Sequence, residues 1–179
     1  MRSLIATSLF ALGLAASPAA AAAYGDPSVP LSTVQDLDLS RYAGLWYEIA
    51  RYPNRFERDC VAVTAEYTPR ENGTIGVRNS CRKETFDGRL AVAEGSARVE
   101  GPGQLSVNFV RFLPFIRGDY HVLHVADDYS LAVVGTPDRS YGWVLARSAR
   151  INDADWQQAL AVLTRNGYDT GALYRVPQP

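Results

Sequence analysis

The chain has 179 residues, of which the first 23 read as a removable leader, leaving 156 for one domain with a sizeable core. Removing Arg2 with the leader leaves 17 Lys+Arg against 19 Asp+Glu, a formal charge of −2, which argues against a nucleic-acid binder. A hydrophobic content of 47% excludes disorder, and two cysteines exclude a disulfide-dense scaffold.

Residues 1–23 carry a positive Arg2, an apolar run over Leu4–Ala16, and Ala21-Ala22-Ala23 before Tyr24. That is the layout of a cleaved secretory signal peptide, and the apolar run is short for a bilayer span. No cysteine precedes Cys60, so the leader offers no lipoprotein cysteine. An exported protein is expected, in the periplasm of a bacterial source and soluble or peripheral to the outer membrane. Residues 24–36, with Pro27 and Pro30, read as a loose N-terminal arm, and 37–179 as the folded domain.

Eight β-type runs follow: Gly44–Arg51, Cys60–Thr68, Thr74–Arg82, Leu90–Val99, Gln104–Arg111, Asp119–Ala126, Ser130–Thr136 and Tyr141–Ser148. Turn residues separate them, Asn72-Gly73 most clearly, since both tolerate positive φ. Val61, Val63, Ala65 and Tyr67 alternate with Ala62, Thr64 and Glu66, and Leu105, Val107 and Phe109 alternate with Ser106 and Asn108. Period two means one buried face per strand. Asn152 as N-cap, then Trp156, Ala159, Leu160 and Leu163, then Gly167, predict one amphipathic helix over about 153–166. Leu173–Val176 is a candidate ninth strand. Short sequential hairpins favour an all-β fold, an up-and-down antiparallel barrel of eight strands with the helix outside, over a Greek-key sandwich.

Gly44-Leu45-Trp46-Tyr47-Glu48 then resembles the lipocalin signature, a Gly-x-Trp on the first strand. The turn Asp127-Asp128-Tyr129 resembles the family's Thr-Asp-Tyr turn, with the Thr replaced, and Arg147 stands where lipocalins carry an Arg near the end of strand eight. The runs Trp46–Phe56 and Gly135–Trp143 are similar to the bacterial, plant temperature-induced and apolipoprotein D-like subgroup. The resemblance spans about Leu37 to Val176. It implies that Gly44, Trp46, Tyr129 and Arg147 are structural, with Trp46 plugging one barrel end under a cation–π contact from Arg147. It further implies a carrier of a small hydrophobic ligand, a fatty acid or lysophospholipid, without a cofactor.

With Trp46 at the closed end, the odd-numbered connections line the mouth. Cavity-facing candidates from the alternation are Val63, Ala65, Tyr67, Ile75, Val77, Ala97, Val107, Phe109, Tyr120, Val122, Trp143 and Leu145. The fifth connection carries Phe112-Leu113-Pro114-Phe115-Ile116, either a tucked strand extension or an apolar lip for membrane or lipid, which Phe56, Phe86 and Tyr141 would extend. Arg51, Arg55 and Arg117 are the expected headgroup neighbours. Cys60 and Cys81 fall on neighbouring strands, and export makes a disulfide plausible. A two-residue Asn72-Gly73 turn, however, sets residue 85 rather than Cys81 opposite Cys60. His121 and His124 are expected on opposite strand faces, unable to share a metal. No HExxH, CxxC, P-loop or Gly-x-Ser-x-Gly pattern occurs, so no catalytic residue or metal site is assigned and the chain is read as a non-enzyme. The open alternatives are a free Cys60 thiol nucleophile in a lipocalin-like enzyme, or a filled barrel with a protein partner. A monomer or weak dimer is expected.

Overall fold

Gly44–Arg51 opens the sheet as β1, where alternation turns Trp46 and Glu48 to one face. The computed structural model describes residues 23–179, so the expected leader lies outside the described residues. In chain order, α1 (Leu39–Tyr42) is followed by β1, β2 (Cys60–Pro69), β3 (Ile75–Lys83), β4 (Leu90–Gly101), β5 (Gln104–Asn108) and β6 (Gly118–Val125). Then come β7 (Leu131–Gly135), β8 (Gly142–Ala146), α2 (Asp153–Arg165) and a two-residue β9 (Tyr174–Arg175). From β1 to β8 each strand pairs antiparallel with the next, and β8 pairs with β1, so eight strands close into a barrel. β9 adds to β1 at the outer edge.

Two apolar layers result from the alternation. One lies inside the barrel around Trp46, Tyr67, Val122 and Leu145. The other joins the outer face of β7 and β8 to α2 through Val133, Val144, Ala159, Val162 and Leu163. The α2 N-terminus is capped by Asn152, whose Oδ1 accepts from Asp155 N at 2.8 Å, and Gly167 follows the C-terminus at φ +79°.

Three expectations are corrected. The arm is not loose. Tyr24 N donates to Arg139 O, Asp26 N to Gly167 O, and Ser32 N to Asn166 Oδ1, each at 2.8 Å. The buried Arg139 guanidinium completes the clamp by donating to Val29 O and Asn166 O. β5 stops at Asn108, because its Nδ2 turns to the following connection and bonds Leu113 O and Ile116 O. The histidines do not oppose each other. A bulge between Val122 and His124 puts Leu123 and His124 on the outer face, which alternation also gives His121, and His124 Nε2 meets Gln158 of α2 at 2.9 Å. α1 itself has no counterpart in the sequence reading. It is one turn, nucleated by Asp38, whose Oδ1 accepts from Ser40 N and Arg41 N.

Candidate functional site

The closed end is built around one indole. Trp46 is fully buried, and its Nε1 donates to Tyr42 O at 2.8 Å. The Arg147 guanidinium lies 3.8 Å over the ring. It also donates to Leu45 O at 2.7 Å, Arg41 O at 2.6 Å, Ala43 O at 2.9 Å and Tyr129 O at 3.3 Å. Tyr129 adopts φ 61°, accepts from Asp38 N through its hydroxyl, and carries Arg41 over its ring at 4.2 Å. Gly44 is needed for its φ of +90° rather than for close packing, since a Cβ there would meet nothing nearer than 3.5 Å.

Above this floor, ten of the twelve cavity candidates fall in the interior cluster: Ala65, Tyr67, Ile75, Val77, Ala97, Val107, Tyr120, Val122, Trp143 and Leu145. Two do not. Val63 packs in a separate cluster with Cys60, Cys81 and Val176, because the C-terminal tail enters beside β2 and Gln178 Nε2 bonds Val63 O. Phe109 sits at the rim, 44% exposed, over Gly95, where a Cβ would come within 2.8 Å of its ring. The interior also holds Tyr42, Leu105, Ala132 and Val134, which the sequence reading missed. β7 is buried on both faces, so no polar alternation marked which residues point inward.

Aromatic rings run from mouth to floor. Phe56 lies 6.1 Å from Tyr141, Tyr141 5.9 Å from Trp143, Trp143 6.4 Å from Tyr120, and Tyr120 6.0 Å from Tyr67. Tyr67, Tyr42 and Trp46 continue at 5.5 and 5.0 Å. A small, partly open void of about 10 Å³ lies at the inner end, lined by Tyr42, Tyr67 and Tyr120 and by apolar side chains such as Ile75, Ala97 and Leu105. A larger groove of about 730 Å³ lies under connection 52–59, lined by Arg51, Arg55, Arg58, Glu57 and Tyr174 among others.

The arginines divide. Arg51 is not free for a headgroup. It is 5% exposed, pairs with Glu48 Oε1 at 2.8 Å and donates to Glu57 O and Cys60 O. Arg117 is not free either, since it folds back on β5 and donates to Ser106 Oγ at 2.7 Å and Ser106 O at 2.6 Å. Arg55 is exposed and lies over the Phe56 ring at 4.8 Å. Glu48 is the residue the sequence reading overlooked, although parity with Trp46 put it inside. Its burial, with the neighbouring Glu57 carboxylate, holds its carboxyl well above the usual range against the opposing pull of Arg51. Glu57 is anchored by Trp143 Nε1 at 3.1 Å and Asn54 Nδ2 at 2.5 Å.

At the mouth the fifth connection is a lip, not a tucked strand: Phe112 is 90% and Phe115 77% exposed. Phe56 and Phe86 are exposed on neighbouring mouth connections. Cys60 and Cys81 are joined in a disulfide, with Cα atoms 5.5 Å apart. Connection 70–74 is longer than the expected turn, and a bulge between Val61 and Thr64 resets the register, so Cys60 opposes Lys83 and Cys81 lies diagonal to it. No group of three or more His, Cys, Asp or Glu is arranged to hold a metal among the described residues.

A closed eight-stranded barrel with an Arg-capped Trp floor and a looped mouth defines the calyx class, and the chain belongs to the lipocalin family: the Lipocalin-like domain model matches residues 37–178. It is 39% identical to temperature-induced lipocalin-1 of Arabidopsis thaliana over 158 residues, covering 83% of each chain. It is 38% identical to the outer membrane lipoprotein Blc of Escherichia coli K12 over 160 residues, covering 88% of this chain and 89% of that one. Among solved structures, insecticyanin from Manduca sexta superposes with a TM-score of 0.65 at 21% identity, over 84% of this chain and 85% of that one.

Proposed function

We propose that the protein binds a small hydrophobic molecule, a fatty acid or lysophospholipid, inside the barrel and carries it within the cell envelope. The observation that carries this is the pairing of two apolar features in one barrel: an interior cluster walled by aromatic rings, and exposed Phe109, Phe112 and Phe115 at the mouth. Burying ten methylenes of an acyl chain gains about 8 kcal/mol before ordering costs, the main driving force for uptake. The lip would touch membrane or incoming lipid, with Arg55 and Arg58 as the free cations of the first mouth connection. Export through the expected leader fits the Cys60–Cys81 disulfide, which persists in an oxidising compartment. No helix among the described residues is long and apolar enough to cross a membrane.

Delipidated mature protein titrated with a fluorescent fatty acid tests the reading: one saturable site is expected, and no saturable signal would refute it. The inner void of about 10 Å³ favours a second reading, a filled barrel that meets a protein partner and takes no cargo. On that reading the same titration stays flat.

A further inference from the structure

The barrel floor holds a hydrogen-bond donor that the protein does not itself use. Tyr42, Tyr67 and Tyr120 all line the inner void. Tyr120 Oη lies 2.7 Å from Tyr42 Oη and 2.8 Å from Tyr67 Oη, and among the described residues these hydroxyls make no other hydrogen bond. Each hydroxyl has one proton. Two bonds use two of the three protons, so one O–H is left over whichever way the chain of bonds runs. Burial pushes all three phenols upward from their ordinary value, so they stay protonated and remain donors. The void beside them has room for roughly one water-sized group, not for a branched or bulky end.

We propose that the inner end of the barrel is a recognition site for a neutral oxygen acceptor, a hydroxyl, carbonyl or ether oxygen, at the leading end of an otherwise apolar ligand. This rests on the carrier reading above. An ionised carboxylate is excluded from that end. Its burial among Tyr42, Tyr67, Ile75, Ala97 and Leu105, with no cation lining the void among the described residues, is unfavourable. A fatty acid therefore sits with its carboxylate at the mouth, and its far end decides the fit at the tyrosines.

The test compares hexadecanoic acid with its ω-hydroxy derivative, which differs only at the inner end. Affinities are measured by calorimetric titration of delipidated wild type, Y42F, Y67F and the triple variant Y42F/Y67F/Y120F. Replacing all three hydroxyls together leaves no polar orphan and keeps the rings, so each variant is read by the ratio of its two affinities rather than by either affinity alone. The affinity ratio favouring the ω-hydroxy acid should be about fivefold higher in wild type than in the triple variant. Y42F and Y67F each keep one spare donor and should keep the wild-type ratio. Should the triple variant not fold, Y120F carries the test. It frees both remaining hydroxyls, so the ratio should rise above wild type. An unchanged ratio across wild type, Y120F and triple variant would overturn the proposal while leaving the carrier reading intact. Failure of wild type to bind either acid would overturn both.

Discussion

Four carbonyl oxygens and one indole face meet the Arg147 guanidinium, so its shape matters as much as its charge. R147K keeps the charge but not the fork, and should lose about 3 kcal/mol of unfolding free energy in urea titration. A lysine that restored full stability would show that charge alone suffices. Glu48 makes a pH prediction. Its carboxyl is raised above the ordinary 4.5, so the folded state binds the proton more tightly than the unfolded chain. Its contribution is then fully present below pH 4.5 and is lost as pH rises through the folded value. Thermal unfolding of E48Q should therefore fall less steeply above pH 4.5 than that of wild type. Identical slopes would mean that Glu48 is already ionised in the fold. Trp46 and Arg147 were legible as a pair because they stand in the spacing lipocalins share. The roles of Arg51 and Arg117 were not, because a sequence does not show which oxygens fold back onto a guanidinium: Glu48 carboxylate for one, Ser106 for the other.

Among elements, the β2–β3 hairpin shows most clearly where the sequence stopped informing. Its strands follow from alternation, but its register depends on Ala62, which sits at φ 49° and donates its N–H to Pro177 O at 2.8 Å. A tail more than a hundred residues away thus makes the bulge that brings Cys60 and Cys81 together. The disulfide closes a segment with a sequence separation of 21, and its loss in C60A/C81A should lower stability by about 3 kcal/mol. A melting curve unchanged by the double substitution would contradict this. α2 was readable from Asn152 through Gly167 because caps and period are local signals. α1 and the pinned arm were not, since their partners, Tyr129, Val122 and Asn166, are distant in the chain.

For the whole molecule, the barrel's polarity is set by one end sealed by Trp46 and Arg147 and one end rimmed by exposed phenylalanines. The lip predicts that F112S/F115S weakens adsorption to phosphatidylcholine–phosphatidylglycerol vesicles while leaving fatty-acid affinity in solution within about twofold, because both rings lie outside the interior cluster. Equal vesicle adsorption by variant and wild type would remove the lip from membrane contact. The eight-strand barrel was legible because hairpin signals recur at short intervals, each a local matter of turn residues. How far the interior is already filled was not legible, since that depends on which rings of Phe56, Tyr141, Trp143 and Tyr120 lean together across strands. The most direct measurement is native mass spectrometry of the purified mature protein, followed by lipid extraction of whatever is released. Binding of one acyl lipid per barrel, co-purified or taken up on addition, is the expected result. A barrel that is empty as purified and stays empty when offered lipid would contradict the carrier function.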